Sequence, residues 1–246
     1  MASTLCCRGP VSLNNPGLCR IRTWRFSAPA RPIARPSSRN ASRYFAGKSR
    51  DPPCTQDTAG EKDLIRFQNA VFRYYTTIGS PQTPWGWKFP ETYLINAYVA
   101  RTFPQARYIH MVRDGRDLAF KKHLTDDPKR KLGKKLLAYL DAMDRPHYLQ
   151  AAMSWAFQVD QFDEFRKTLS AEQVFDLRFE DVCRQPMVCM QGLCDFLNIP
   201  MTEDCERYIT QQLDAGKIGQ FKSEDPARIR EIENTISSTL KRYHYL

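Results

Sequence analysis

The first fifty residues contain no aspartate and no glutamate, against nine arginines and one lysine. That absence accounts for the whole net charge of +10, because residues 51–246 hold 27 basic and 27 acidic side chains (37 − 10 against 27 − 0). A neutral body argues against a nucleic-acid surface, which needs its basic face on the folded domain itself. Nothing in the chain approaches the ~20 consecutive apolar residues of a membrane span, and the leader lacks the apolar core of a secretory signal. The eight cysteines include no Cys-x-x-Cys, and no histidine stands at zinc spacing. These absences point away from a structural metal and towards a reducing compartment. No internal repeat is present. A complete Walker A loop is also missing. Gly47-Lys48-Ser49 is only a fragment of one, with Ser42 in place of its first glycine and Pro52-Pro53 blocking the helix that should follow. A P-loop nucleotide kinase therefore ranks last among the nucleotide-binding readings.

The acid-free leader is rich in Arg, Ser and Pro, so residues 1–55 read as a disordered basic segment and 56–246 as the domain. Two readings of the leader stand side by side. It is an organellar transit peptide, for a chloroplast or a mitochondrion, or it is a wrongly assigned first exon of an otherwise cytoplasmic protein. Cys189 and Cys194 fall in an apolar helical pattern and read as core thiols.

In the body, Leu64, Phe67, Val71 and Tyr75 recur at helical spacing over 61–78. Ser80–Pro84 is a loop, and 91–103 a second helix that Pro104 ends. Arg107–Val112 is a short apolar strand, and the helix after it is expected over 114–124. The polar stretch 126–135, with Lys129, Arg130, Lys131, Lys134 and Lys135, reads as a charged insertion, a solvated loop and helix start. Residues 146–169 form a long helix with Ala152, Trp155, Val159, Phe162 and Leu169 on its buried side. A second strand covers 173–177, and helices cover 187–197, 202–213 and 226–240. Helices alternating with short apolar strands predict an α/β fold with a parallel sheet.

Tyr108 to Lys121 reads Tyr-Ile-His-Met-Val-Arg-Asp-Gly-Arg-Asp-Leu-Ala-Phe-Lys. A strand that stops where a helix starts leaves N–H groups without intrahelical partners and a dipole that favours negative charge. Arg113 at the strand end can fork onto a phosphate, or else pair with Asp114 or Asp117. Arg116 is expected to be structural and Asp117 to support the first helical turn. His110 alternates into the strand's packed face, while His123 is placed on the helix surface.

The run Val-Arg-Asp-Gly-Arg-Asp-Leu-Ala resembles the 3′-phosphate-binding signature of sulfotransferases that use 3′-phosphoadenosine 5′-phosphosulfate. Three further segments resemble that family in the same order: Trp85-Gly86-Trp87-Lys88-Phe89-Pro90, then Phe175 to Asp181 with Pro186 and Phe196-Leu197, then the glycine-containing loop Gly216 to Lys222. The likeness spans roughly Trp85 to Leu246. It implies a P-loop NTPase-like parallel sheet flanked by helices. It also implies transfer of a sulfonate to a hydroxyl or amine acceptor, with 3′-phosphoadenosine 5′-phosphosulfate as co-substrate and no metal. The acceptor could be a carbohydrate, protein, lipid or small phenol.

The site residues the resemblance implies are Arg113 and Lys121 on the 3′-phosphate, with Lys217, Gly219 and Lys222 in a loop folded over it, and Lys88 in the Trp-Gly-Trp-Lys segment. Glycine at 219 would let the backbone approach a phosphate closely. Trp85 and Trp87 either line a cleft or pack as an aromatic loop. Glu91, where the family often has Arg, reads as a helix N-terminal carboxylate or a base. Glu180 and Asp181 read as capping residues.

Two departures stand out. Lys121 replaces the family's usual Ser, and no strand with an Arg-Ser-Gly-Thr-Thr-type loop precedes Asp63. The expected sheet is therefore incomplete at its N-terminal strand, the catalytic group is unassigned, and a non-catalytic relative retaining only the 3′-phosphate half-site is the alternative.

Overall fold

The computed structural model describes residues 3–7, 60–78 and 86–246. The Ser80–Pro84 loop, Trp85, Gly47-Lys48-Ser49 and the leader beyond residue 7 lie outside the described residues. Among those described, β1 (Ser3–Cys7), β2 (Gly86–Phe89), β3 (Arg107–Val112) and β4 (Val174–Arg178) form one sheet in the order β2-β1-β3-β4. The two strands expected from the sequence are the parallel pair, with Tyr108 opposite Val174 and Val112 opposite Arg178. β1 runs antiparallel to both its neighbours, so the sheet is mixed. Residues from within the leader thus occupy the edge of β3 that the sequence reading left open. An unpaired strand edge presents a row of donors and acceptors that any extended segment can satisfy.

The helices are α1 (Glu61–Ile78), α2 (Asn96–Thr102), α3 (Gly115–Ala119), α4 (Lys131–Tyr139) and α5 (His147–Arg166). After β4 come α6 (Phe179–Arg184), α7 (Pro186–Leu197), α8 (Glu203–Gln212), α9 (Pro226–Thr235) and α10 (Ser237–Arg242). The period-2 alternation of β3 divides the core between its two faces. Tyr108 packs with Phe162 and Phe165 of α5, and His110 stacks on Phe162 with centroids 4.1 Å apart. His110 is fully buried, as its place in the alternation implied. On the other face Ile109 and Leu177 meet Val182 of α6 and Leu193 and Phe196 of α7. Leu64 and Phe67 of α1 join Tyr98 and Val99 of α2, extending the first face. Cys183, Cys189, Cys194 and Cys205 are free thiols; Cys194 is buried and Cys189 half-buried.

Three helices differ from expectation at their ends. The segment 91–103 opens as a 3₁₀ turn over Pro90–Ile95 before α2 begins. The last helix breaks at Ile236, which caps both α9 and α10. α3 stops at Ala119 and does not run to 124. The cause lies in the next turn. The Asp126 carboxylate accepts the His123 N–H at 2.8 Å, and the Thr125 hydroxyl is buried against His123 Nδ1 (2.9 Å), Ser154 Oγ (3.1 Å) and Gln158 Nε2 (3.2 Å). These side-chain bonds offer the backbone an alternative to the helical ladder. His123 is consequently half-buried in this turn and not on a helix surface. In α4, Leu132 and Leu136 pack with Tyr93 and Phe157 beneath its exposed lysines.

Gly115 sets how closely α3 lies on α5. A Cβ at this position would sit 2.6 and 2.7 Å from carbons of the buried Trp155 ring. Gly115→Ala should therefore destabilise by about 1–3 kcal/mol despite the better helix propensity of alanine. That loss corresponds to roughly 2–4 °C per kcal/mol in a thermal melt of a domain this size.

Candidate anion-binding site

At the end of β3 the chain turns through Arg113 and Asp114 into α3. Three of the N–H groups at this turn are already engaged. Asp114 N–H donates to Glu180 Oε1 (3.0 Å), Arg116 N–H to Asp114 Oδ1 (2.9 Å), and Asp117 N–H to the Asp114 carbonyl (3.1 Å). With a helix of only five residues, the dipole contribution is small as well. The larger attraction for an anion here is side-chain charge.

That charge is organised by Asp117, whose side chain is wholly buried. Its Oδ2 accepts from Arg113 Nη2 (3.0 Å) and from the Gly219 N–H (2.9 Å), and its Oδ1 accepts from the Phe221 N–H (3.0 Å). The loop expected to cover the site is thus fastened to the strand end. Of the two partners considered for Arg113, Asp117 is the one it takes. The same guanidinium also donates to the Lys217 carbonyl and lies 4.5 Å above the Phe179 ring. Its Nε is buried and has no partner among the described residues.

Lys121, in the turn beyond α3, faces solvent. Partial desolvation lowers its ammonium from the ordinary value, Arg113 and Lys217 push it further down as like charges, and Asp117 opposes them. Arg113, Lys121 and Lys217 therefore share one neighbourhood. Gly219 adopts φ +72, the left-handed conformation that glycine takes without strain. The Lys222 side chain folds back over it, with Cε 3.4 Å and Nζ 3.8 Å from where a Cβ would stand.

Lys88 is not part of this group. It is exposed on β2, two strands from β3, and opposite Leu5, which pairs in turn with Ile109. Strand spacing and rise put its Cα roughly 16 Å from that of Arg113. Its neighbours are Glu91 and His123. Burial raises the Glu91 carboxyl, with Lys88 acting against the rise. His123 is lowered to about 4, chiefly by burial and with Lys88 contributing, so it is neutral at physiological pH.

Arg116 is structural, as expected. It forms a fork on Asp114 (2.8 and 3.1 Å), pairs with Glu233 (2.6 Å) and lies over Phe221 at 4.3 Å. Glu180 does not cap its own helix but reaches across to Asp114. Sequence reasoning treated Asp117 as a helix-dipole residue and missed its hold on the loop. The Arg113–Asp117 spacing of four was the available signal. Tyr245, which donates to Glu180 Oε2 at 2.9 Å, left no signal at all.

The profile of the Sulfotransferase family matches residues 19–204, well over half of the chain. The protein belongs to the sulfotransferase family. The match ends before the Gly216–Lys222 loop, which the geometry joins to the signature through Asp117. Among solved structures, a sulfotransferase domain from the curacin biosynthetic pathway is similar, with 16% identity and a TM-score of 0.43 over 60% of this chain. The aligned part spans 59% of that domain's length. No curated protein matches the chain significantly.

Removing the Asp117 carboxylate should release the loop locally. In Asp117→Ala, hydrogen exchange at the Gly219 and Phe221 amides should accelerate well beyond that of β3. Global stability should fall by about 2–4 kcal/mol, because Arg113 and two amides lose their acceptor. Glu91 gives a pH signature. Its carboxyl is raised in the folded state relative to an unfolded value near 4.3, so its ionisation costs stability as pH climbs through the folded value. Glu91→Gln should melt higher than wild type at pH 8, and the gain should shrink towards pH 4.

Proposed function

We propose that this sulfotransferase-family protein binds 3′-phosphoadenosine 5′-phosphosulfate and transfers its sulfonate to a hydroxyl or amine acceptor. The observation that carries the reading is the convergence of three cations at the end of β3: the Arg113 guanidinium donates to the Lys217 carbonyl, and both cations act as like charges on Lys121, a repulsion that an anion would relieve. The buried, unpartnered Arg113 Nε fits such a ligand, because a desolvated guanidinium nitrogen gains most from an anionic acceptor. Arg113, Lys121 and Lys217 would hold the 3′-phosphate. The Gly219 turn, with Lys222 folded over it, would lie against the nucleotide.

The co-substrate supplies the sulfonate. The acceptor oxygen or nitrogen forms a bond to sulfur while the bond from sulfur to the bridging phosphate oxygen breaks. The products are the sulfated acceptor, adenosine 3′,5′-bisphosphate and a proton. The chain's part in such a transfer is to position the partners and to stabilise charge on the leaving oxygen. Lys88, on the same sheet face as Ile109 and roughly 16 Å from Arg113, supports a role towards the sulfonate or acceptor end rather than at the 3′-phosphate.

Calorimetric titration of the full chain with adenosine 3′,5′-bisphosphate tests the donor reading. Wild type should bind, Arg113→Ala should abolish binding, and Lys121→Ala and Lys217→Ala should each weaken it by about tenfold, a charge-assisted hydrogen bond apiece. Binding that is indifferent to Arg113 would remove the basis for the reading.

A further inference from the structure

The turn that aims Arg113 is held from behind by a closed circuit of hydrogen bonds. Tyr245 Oη donates to Glu180 Oε2 (2.9 Å), and Glu180 Oε1 accepts the Asp114 N–H (3.0 Å). The Asp114 carboxylate takes the Arg116 fork, and Arg116 Nη2 donates back to the Tyr245 carbonyl (2.7 Å). One residue thus holds Asp114 by two routes, through its hydroxyl to the backbone and through its carbonyl to the side chain. Glu180 is only 4% exposed, so neither of its oxygens has water as an easy substitute. The residue before it, Phe179, is the ring on which the Arg113 guanidinium rests. A shift of α6 would therefore move the support of the Arg113 side chain and the anchor of the next residue's backbone together.

We propose that Tyr245 is a positioning residue for the anion site, acting through Glu180 to fix the Arg113–Asp114 turn in the geometry that receives a 3′-phosphate. This rests on the donor reading above. The role assigned to Tyr245 is exerted through Glu180 and not by contact with the ligand. Its ring is packed beneath the Arg178 guanidinium at 4.6 Å. Burial and the neighbouring Glu180 charge raise its phenol far above the working range, so the hydroxyl stays a donor. The groups facing it are Glu180 on α6, Arg178 at the end of β4 and Arg116 on α3.

The test compares two probes, adenosine 3′,5′-bisphosphate and adenosine 5′-monophosphate, titrated calorimetrically into the full chain. The ratio of their affinities isolates the 3′-phosphate contribution, and a general loss of stability does not change it. Tyr245→Phe keeps the ring and the backbone carbonyl and removes only the hydroxyl. It should lower the ratio about tenfold. Glu180→Gln can still accept from Asp114 and donate to the Tyr245 oxygen, so it should retain most of the ratio. Glu180→Ala breaks the circuit independently, should lower the ratio at least as much, and provides the reading if Tyr245→Phe folds poorly. A wild-type ratio in folded Tyr245→Phe or in Glu180→Ala overturns the positioning role. A wild-type protein that does not prefer the bisphosphate overturns the donor reading itself, and the positioning role with it.

Discussion

The carboxylate of Asp117 fastens together parts of the chain that lie far apart in sequence. It is buried on the first turn of α3, and its three acceptor contacts go to Arg113 four residues earlier and to the Gly219 and Phe221 amides more than a hundred residues later. A buried carboxylate is stable only if its lone pairs are filled by donors and its charge is balanced. Here the donors are two backbone amides and the charge is balanced by a guanidinium. The arrangement of cations at the end of β3 follows from satisfying this one group. The loop is drawn in so that Asp117 is solvated by protein, and Lys217 comes with it.

The structure therefore places the site's positive charge around an internal negative one. Arg113 is shared between Asp117, the Lys217 carbonyl and the Phe179 ring. An incoming anion would share the guanidinium with Asp117, not find it free, and the buried Nε offers the edge that Asp117 does not use. Lys121 and Lys217 add charge without adding fixed geometry, in keeping with lysine's compact ammonium on a flexible stem. Affinity in such a site comes from the summed field. Orientation comes from the one residue whose position is fixed on every side, which is why the bonds behind the Arg113–Asp114 turn bear on recognition as much as on stability.

Much of the fold was legible in the sequence. β3 and β4 stood out as short apolar runs, and α1, α7 and α8 lie within a residue of their expected ranges, while α5 stops three residues before the expected 169. The core role of His110 followed from strand alternation. The parts that were missed share a physical cause. The early end of α3 depends on Asp126 and Thr125 bonding backwards and sideways, which local propensity does not report. The hold of Asp117 on the loop uses backbone amides, and every residue but proline has one, so nothing at Gly219 or Phe221 marks them in advance. β1 fills a sheet position by backbone pairing, which places little demand on side-chain identity. At the site, the sequence picked out cationic residues, of which Arg113, Lys121 and Lys217 are brought together, but it did not foresee the partners that the turn's own N–H groups take. Of the N–H groups it offered to an anion, those of Asp114 and Arg116 are taken up by Glu180 and Asp114.

The hydrogen-bond circuit through Tyr245 has a consequence for how the molecule assembles. The proposed anion site draws on the end of β3, on α6, on the turn around Gly219 and on the segment after α10, so no contiguous stretch of chain contains it. A partly folded species could hold the β3–β4 pair and the α5 core yet have no such site, because the final pieces arrive from the far end of the sequence. Ligand binding would then select the completed fold over every intermediate and stabilise it by mass action. A ligand held at that site would report that the last segment has docked.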